Sequence, residues 1–248
     1  MKSGRRSHGI SAVVLVLAIT AASAHAFSFS PMVTFVGADE APARVRYTVQ
    51  NDTQRAIAVQ ISAHDRHIDQ TGNESTSPTD DLFVFPSQIV LGPGRTQEVT
   101  VEWTGGHVQR ERAFRIIATQ LPVNLGTGND SRAQLRVNLE YVTSLYVRPP
   151  GASPQFELIQ ATVDMELAEF RIHLRNAGAM HGLLRDIAFD TDGWPDGVTR
   201  LVPASRFEAG SNVVLPEGER ILSIPLERLD WDGEIAPDIS VDIVPHTP

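Results

Sequence analysis

Residues Gln134–Pro149 read QLRVNLEYVTSLYVRP. Leu135, Val137, Leu139, Tyr141, Thr143, Leu145 and Val147 share one parity, while Arg136, Asn138, Glu140, Ser144 and Arg148 share the other. Such sustained period-two alternation predicts one long β-strand with an apolar face and a mostly polar face. Strands usually run about 5–6 residues, so this apolar row outlasts the needs of one small sandwich, and the excess is available to another chain. An ordinary core strand running into a linker is the competing reading of the same residues.

Downstream, Pro149-Pro150-Gly151 and Pro154 end strand pairing and mark a domain break, because proline cannot donate to a ladder. Upstream, Lys2, Arg5 and Arg6 precede an apolar run from Ile10 to Ala22, and Ala24-His25-Ala26 is an A-x-A cleavage site. Residues 1–26 therefore read as a signal peptide, and the mature chain is expected to start at Phe27. The apolar run is too short for a comfortable membrane span, so a soluble, exported protein is expected. The remaining ~222 residues suit two domains of about 100–120 each, at 27–149 and 150–248.

The leader carries three basic residues and no acidic ones, which leaves 18 Lys plus Arg against 30 Asp plus Glu, a net charge of about −12. That balance disfavours nucleic acid and anionic lipid as partners. The chain has no cysteine, which removes disulfides, thiolate chemistry and Cys-based metal sites from consideration. Stability must come from packed cores.

Before the deciding stretch, FSFSPMVTFV (27–36) is an apolar opening in which Pro31 suits an edge strand or a switch between sheets, with no Lys or Arg from Phe27 through Ala43. Arg44 to Gln50 and Ile57 to Ala63 alternate about an Asn51-Asp52 turn, which predicts a hairpin. Leu82 to Val90 is a strand run interrupted by Pro86; Thr96 to Trp103 and Ala113 to Leu121 are further strands. Beyond the break, strands are expected at Phe156–Ala161, Phe170–Leu174, Leu183–Phe189, Thr199–Val202, Ile221–Leu226 and Ile239–Val244. Short strands with turn signals every 8–12 residues or so and almost no helical periodicity give an all-β fold of two sandwiches. The strands after the break are few for a complete sandwich.

Chemistry-bearing patterns are sparse. His64, His67 and Asp69 offer metal ligands, but their spacing fits no single strand face, and a polar strand end followed by an Asp69-Gln70-Thr71-Gly72 turn is the favoured reading. Asp190, Asp192 and Gly193 start like a calcium loop without its later ligands, which favours a hairpin turn. Asp230, Asp232 and Glu234 read as a solvated loop. With no G-x-S-x-G, phosphate-binding glycine loop or H-E-x-x-H, neither an enzyme nor a cofactor is expected.

In order and spacing, VRYTVQND (45–52), LFVFPSQIVLGPGRTQEVTVEW (82–103), RERAFRIIATQLPV (110–123), LRVNLEYVTSLYVRPPG (135–151), LRNAGAMHGLLRDIAF (174–189) and NVVLPEGERILSIPL (212–226) resemble the PapD-like periplasmic pilus chaperones, as a divergent member. The resemblance implies two immunoglobulin-like β-sandwich domains set at an angle. It also implies donor-strand complementation, with Leu135, Val137 and Leu139 lent to pilin-like subunits that are then delivered to an outer-membrane usher. Arg148 matches the arginine of the family's F-Y-R-P motif and Glu111 the glutamate of its D-R-E-S motif, which implies an interdomain ionic network.

The departures from the family are specific. Ser144 stands where the family has a lysine, and the opening segment has no arginine, so the usual cations for a client's terminal carboxylate are missing from both places. The late N-D-Y-G motif is absent, so the second domain is expected to be shortened or completed differently. The exposed strand also permits a self-capping dimer. The alternative reading is a PapD-like interaction or scaffold protein without pilin clients.

Overall fold

The computed structural model describes residues 27–40, 42–122, 139–192, 200–208, 210–229 and 240–246. The first half contributes ten strands: β1 Phe27–Ser30, β2 Val33–Gly37, β3 Arg44–Asn51, β4 Ile57–Ile68, β5 Glu74–Pro78, β6 Leu82–Phe85, β7 Gln88–Leu91, β8 Thr96–Trp103, β9 Arg112–Leu121 and β10 Glu140–Arg148. They form one sheet in the order β1-β3-β8-β6 and a second in the order β2-β10-β9-β4-β5, with β7 also on β4. Alternate residues of both sheets, among them Tyr47, Val49, Val59, Ile61, Val99, Val101, Phe114, Ile116, Leu145 and Val147, meet in one core.

Two prolines act as sheet switches. Pro31 separates β1 from β2, and Pro86 separates β6 from β7; in each pair the strands belong to different sheets. Without an N–H, proline breaks the ladder at the point where the chain changes partner. Leu82 to Val90 is thus two strands rather than one interrupted strand.

The hairpin expected about Asn51-Asp52 is corrected: β3 pairs with β1 and β8, whereas β4 pairs with β9, β5 and β7. Both strands aim apolar residues at the same core, but from opposite sides, and alternation alone cannot tell pairing from facing. Asn51 fixes the crossover. It is fully buried; its amide donates to the Arg55 carbonyl at 2.7 Å and the Leu91 carbonyl at 3.0 Å, and its oxygen accepts from the Thr53 N–H.

The second half contributes β11 Phe156–Asp164, β12 Glu169–Asn176, β13 Gly182–Leu183, β14 Ile187–Asp192, β15 Arg200–Pro203, β16 Val213–Val214, β17 Glu219–Pro225 and β18 Ser240–Pro245. Their sheets run β11-β12-β17, β15-β14-β18 and β13-β16, about a core that includes Phe170, Ile172, Leu174, Phe189, Leu222 and Ile224. The run Leu183 to Phe189 is not one strand. A 3-10 turn at Leu184–Asp186 divides it, so that Leu184 and Ile187, three residues apart, both face inward, which a period-two strand cannot do. Strands β13 and β16, at two residues each, are too short to show periodicity in the sequence. Asp190 and Asp192 lie on β14, antiparallel to β15, while residues 193–199 and the acidic cluster at Asp230, Asp232 and Glu234 lie outside the described residues. No helix among the described residues is long and apolar enough to cross a membrane.

Candidate functional site

Strand β10 changes character half-way along. It pairs antiparallel with β9 from Glu140 to Val147, but its other border is taken by β2, in parallel, only from Ser144 to Arg148. Among the described residues, no strand pairs with that border over Glu140–Thr143. Beside the open stretch, Val142 is exposed, as are Met32 and Val33 of the adjoining segment, each at 52%.

The apolar parity turns inward. Tyr141 meets Phe27 edge-on with ring centroids 4.8 Å apart, Thr143 donates to the Ile116 carbonyl, and Leu145 and Val147 are buried. Leu139 is half-buried against the same core, and its carbonyl accepts the Gln120 N–H. Leu135 and Val137 lie outside the described residues. The polar parity differs from expectation: Ser144 and Tyr146 are buried as well, because side chains of β4 and β9 and a loop of the second sandwich cover that end of the face.

At Ser144 the missing cation arrives from a neighbouring strand. Arg115 of β9 lies opposite Ser144 in the register, and its Nη1 donates to the Ser144 hydroxyl. The same guanidinium grips Glu74 of β5 through Nε and Nη2, each at 2.6 Å. Arg66 of β4 also reaches Glu74, with Nε 2.9 Å and Nη2 2.8 Å away, and its Nη1 donates to the Tyr146 hydroxyl at 2.8 Å. Ala113, opposite Tyr146, carries only a methyl group and does not obstruct this span. Burial opposes ionisation of Glu74, but the hydrogen bonds and charges of Arg115 and Arg66 outweigh it and hold the carboxyl below its usual range. Two guanidiniums therefore stand beside Ser144 and Tyr146, where the strand itself supplies no cation. They were missed because they sit on β4 and β9 and converge only when the sheet forms.

Glu111 and Arg148 are brought together, and a third residue joins them. The Glu111 side chain is fully buried; one oxygen accepts from Arg148 Nε at 2.7 Å, and the other accepts from both the backbone N–H and Nδ1 of His181 in the second sandwich, at 3.1 and 2.6 Å. The His181 ring stacks on Tyr146 at 4.3 Å, Tyr146 on Phe35 at 5.5 Å, and the Arg148 guanidinium lies 4.2 Å over Phe35. Contacts thus run in a closed ring through Glu111, Arg148, Phe35, Tyr146 and His181. No motif singled out His181; an unpaired histidine in LRNAGAMHGLL carries no periodic signal.

The histidines weighed as metal ligands have other partners. His64 bonds the Ser62 hydroxyl and His67 the Ser77 hydroxyl, each at 3.0 Å, while Asp69 closes the turn onto the N–H groups of Thr71 and Asn73. Among the described residues no group of three or more His, Cys, Asp or Glu side chains could hold a metal ion.

Residues 28–153 match the model of the pili and flagellar-assembly chaperone PapD N-terminal domain. The chain belongs to the PapD-like pilus chaperones. A comparison with curated protein sequences gives no match. Among solved structures, this PapD-like chain is similar to the class 5 fimbriae chaperone CfaA, with a TM-score of 0.56 and 13% identity over 90% of this chain and all of that one. It is also similar to a structure of Salmonella enterica SafA pilin in complex with the SafB chaperone, at 0.53 and 15% over 81% of this chain and 85% of that one. The third is a structure of the CsuC–CsuE chaperone–tip adhesion subunit complex of Acinetobacter baumannii, at 0.51 and 13% over 80% and 90%. These likenesses support the fold of two immunoglobulin-like sandwiches, and family membership makes the protein a chaperone for pilus subunits.

Proposed function

We propose that this periplasmic chaperone, with a leader at 1–26 and domains at 27–149 and 150–248, lends the strand leading from Leu135 through Val137 and Leu139 into β10 to an incomplete pilin-like subunit. It then hands the subunit to an outer-membrane usher. The observation that carries the reading is the half-open border of β10, unpaired over Glu140–Thr143 among the described residues and flanked by exposed Met32, Val33 and Val142. A subunit lacking a strand exposes both an apolar groove and unpaired backbone groups, and one extended ribbon with alternating side chains satisfies both. The fold likeness to chaperones seen with a pilin and with a tip adhesion subunit supports partners of that kind.

For the end of such a client, Arg115 and Arg66 beside Ser144 stand in place of the cations absent at Ser144 and the opening segment. Glu74 now holds both guanidiniums, so a terminal carboxylate would bind by exchange with Glu74. Without a client, the open border and the exposed β2 residues favour self-capping, and the purified protein is expected to dimerise at high concentration.

The test is co-expression with a subunit encoded nearby. Replacing Leu135, Val137 and Leu139 together with Asp is expected to abolish subunit recovery while the far-UV circular dichroism stays native. Unchanged recovery would refute strand lending.

A further inference from the structure

We infer that the β4–β5 hairpin is a second lock between the two sandwiches, made of backbone rather than charge, and that it holds the domain angle even when the Glu111–Arg148–His181 cluster is broken. This holds whichever client β10 serves.

Strand β4 pairs with β9 only as far as Asp65, and beyond it β4 continues with β5 alone to a turn at residues 69–73. That tip is stiff. The Asp69 carboxylate accepts from the N–H groups of Thr71 and Asn73, both at 2.9 Å, and from the Thr71 hydroxyl at 2.8 Å; Gly72 takes the positive φ of +87° that the turn requires. The hydroxyl bond from Thr71 and the backbone bond from Asn73 pull the Asp69 carboxyl down to about 2.

The tip presents main-chain carbonyls to the second sandwich. Gln70 O accepts the Ile221 N–H at 2.7 Å, and Gly72 O accepts the Ser211 N–H at 3.0 Å. Strand β17 is paired on one side by β12, and on its other side Glu208 bridges Ser223. Gln70 continues that outer row one step further, so the hairpin covers a stretch of strand edge belonging to the other domain. The Gln70 side chain adds a 2.6 Å bond to Glu219, whose same oxygen holds His173 at 2.9 Å.

The receiving segment is shaped for this approach. Gly210 has a φ of +60°, and a Cβ there would lie 2.8 Å from the Thr71 carbonyl oxygen and 3.0 Å from Gly72 Cα, so any side chain collides with the hairpin backbone. Next to it, the Arg220 side chain, 1% exposed, donates to the carbonyls of Ser211 and Val213 and fixes the loop that meets the tip. The Glu111 lock combines a buried carboxylate with one main-chain bond, from the Glu111 N–H to the Ala179 carbonyl at 2.8 Å, whereas the hairpin lock rests on two main-chain bonds that no single side-chain truncation removes.

Because the chain has no cysteine, a pair introduced at Gln97 and Glu227, one on each sandwich, reports the domain separation through spin labels without background. His181→Ala is expected to leave the mean distance unchanged, Gly210→Val to broaden the distribution, and the double variant to shift and broaden it. A shift with His181→Ala alone as large as that of the double variant would overturn the inference. Hydrogen exchange gives a reading that does not depend on Gly210→Val folding: the Ile221 and Ser211 amides are expected to stay protected in His181→Ala. Exchange of both at the rate of exposed strand-edge amides, already in the unaltered protein, would likewise overturn it.

Discussion

The two halves of β10 have the same alternation and opposite surroundings. From Ser144 to Val147 the strand is paired on both borders and buried on both faces, whereas from Glu140 to Thr143 it is paired only with β9 among the described residues, and Val142 points to solvent. If the open end is lent as proposed, the other end has to be anchored, since pulling on an open ribbon would otherwise strip it from its own sheet. Burial of Leu145 and Val147, the parallel pairing with β2, and the ring through Glu111, Arg148, Phe35, Tyr146 and His181 all act at the closed end. The open end keeps one neighbour and a half-buried Leu139.

The contrast would be broken most severely at the closed end. Leu145→Ala removes a fully buried side chain from the first core and is expected to cost about 2–5 kcal/mol, read as a lower denaturation midpoint. A loss as small as that of a surface change would mean that the closed end is no anchor. Glu111→Ala comes next. It leaves the His181 N–H groups and Arg148 without their acceptor, but Arg148 is 28% exposed and regains water, so the loss is expected at about 1–3 kcal/mol, below that of a fully sealed ion pair.

Acid sharpens the comparison through Glu74. Its carboxyl is held below its usual range in the folded protein, so the stability it contributes is fully present above its unfolded value of about 4.3 and is lost as pH falls through the lower folded value. Melting temperature is expected to fall more steeply below about pH 4 in the unaltered protein than in Glu74→Gln. Parallel curves would show that the arginine pair draws nothing from that carboxylate. The smallest stability effect is expected at the open end: Val142→Asp should change stability by no more than about 0.5 kcal/mol while reducing subunit capture in co-expression. Unimpaired capture would move the client contact away from Glu140–Thr143.

Much of this was legible in the chain because it is local. Alternation gave the inward row Tyr141, Thr143, Leu145 and Val147, and the extents of β8 and β9 to within a residue. Pro31 suited a change of sheet because its lost donor acts wherever it stands. Three things were not legible. The facing arrangement of β3 and β4 was not, because pairing and opposition share one pattern. The burial of Ser144 and Tyr146 was not, because their covers come from β4, β9 and the second sandwich. The paired cations Arg66 and Arg115 were not, because they lie 49 positions apart in the chain and meet only across the sheet around Glu74.

By itself the sequence determined which residues alternate, where the ladder must stop, that no disulfide would help, and the resemblance to a pilus chaperone. The first three reside in single residues and their nearest neighbours, and the resemblance in the order and spacing of pieces along the chain. Tertiary structure alone decided which cations stand beside Ser144 and Tyr146, that His181 completes the Glu111 site, and that a hairpin tip crosses to the edge of β17. The reason is physical: a charge or a backbone group acquires its partner through space, and in a sandwich that partner usually sits on a strand far along the chain.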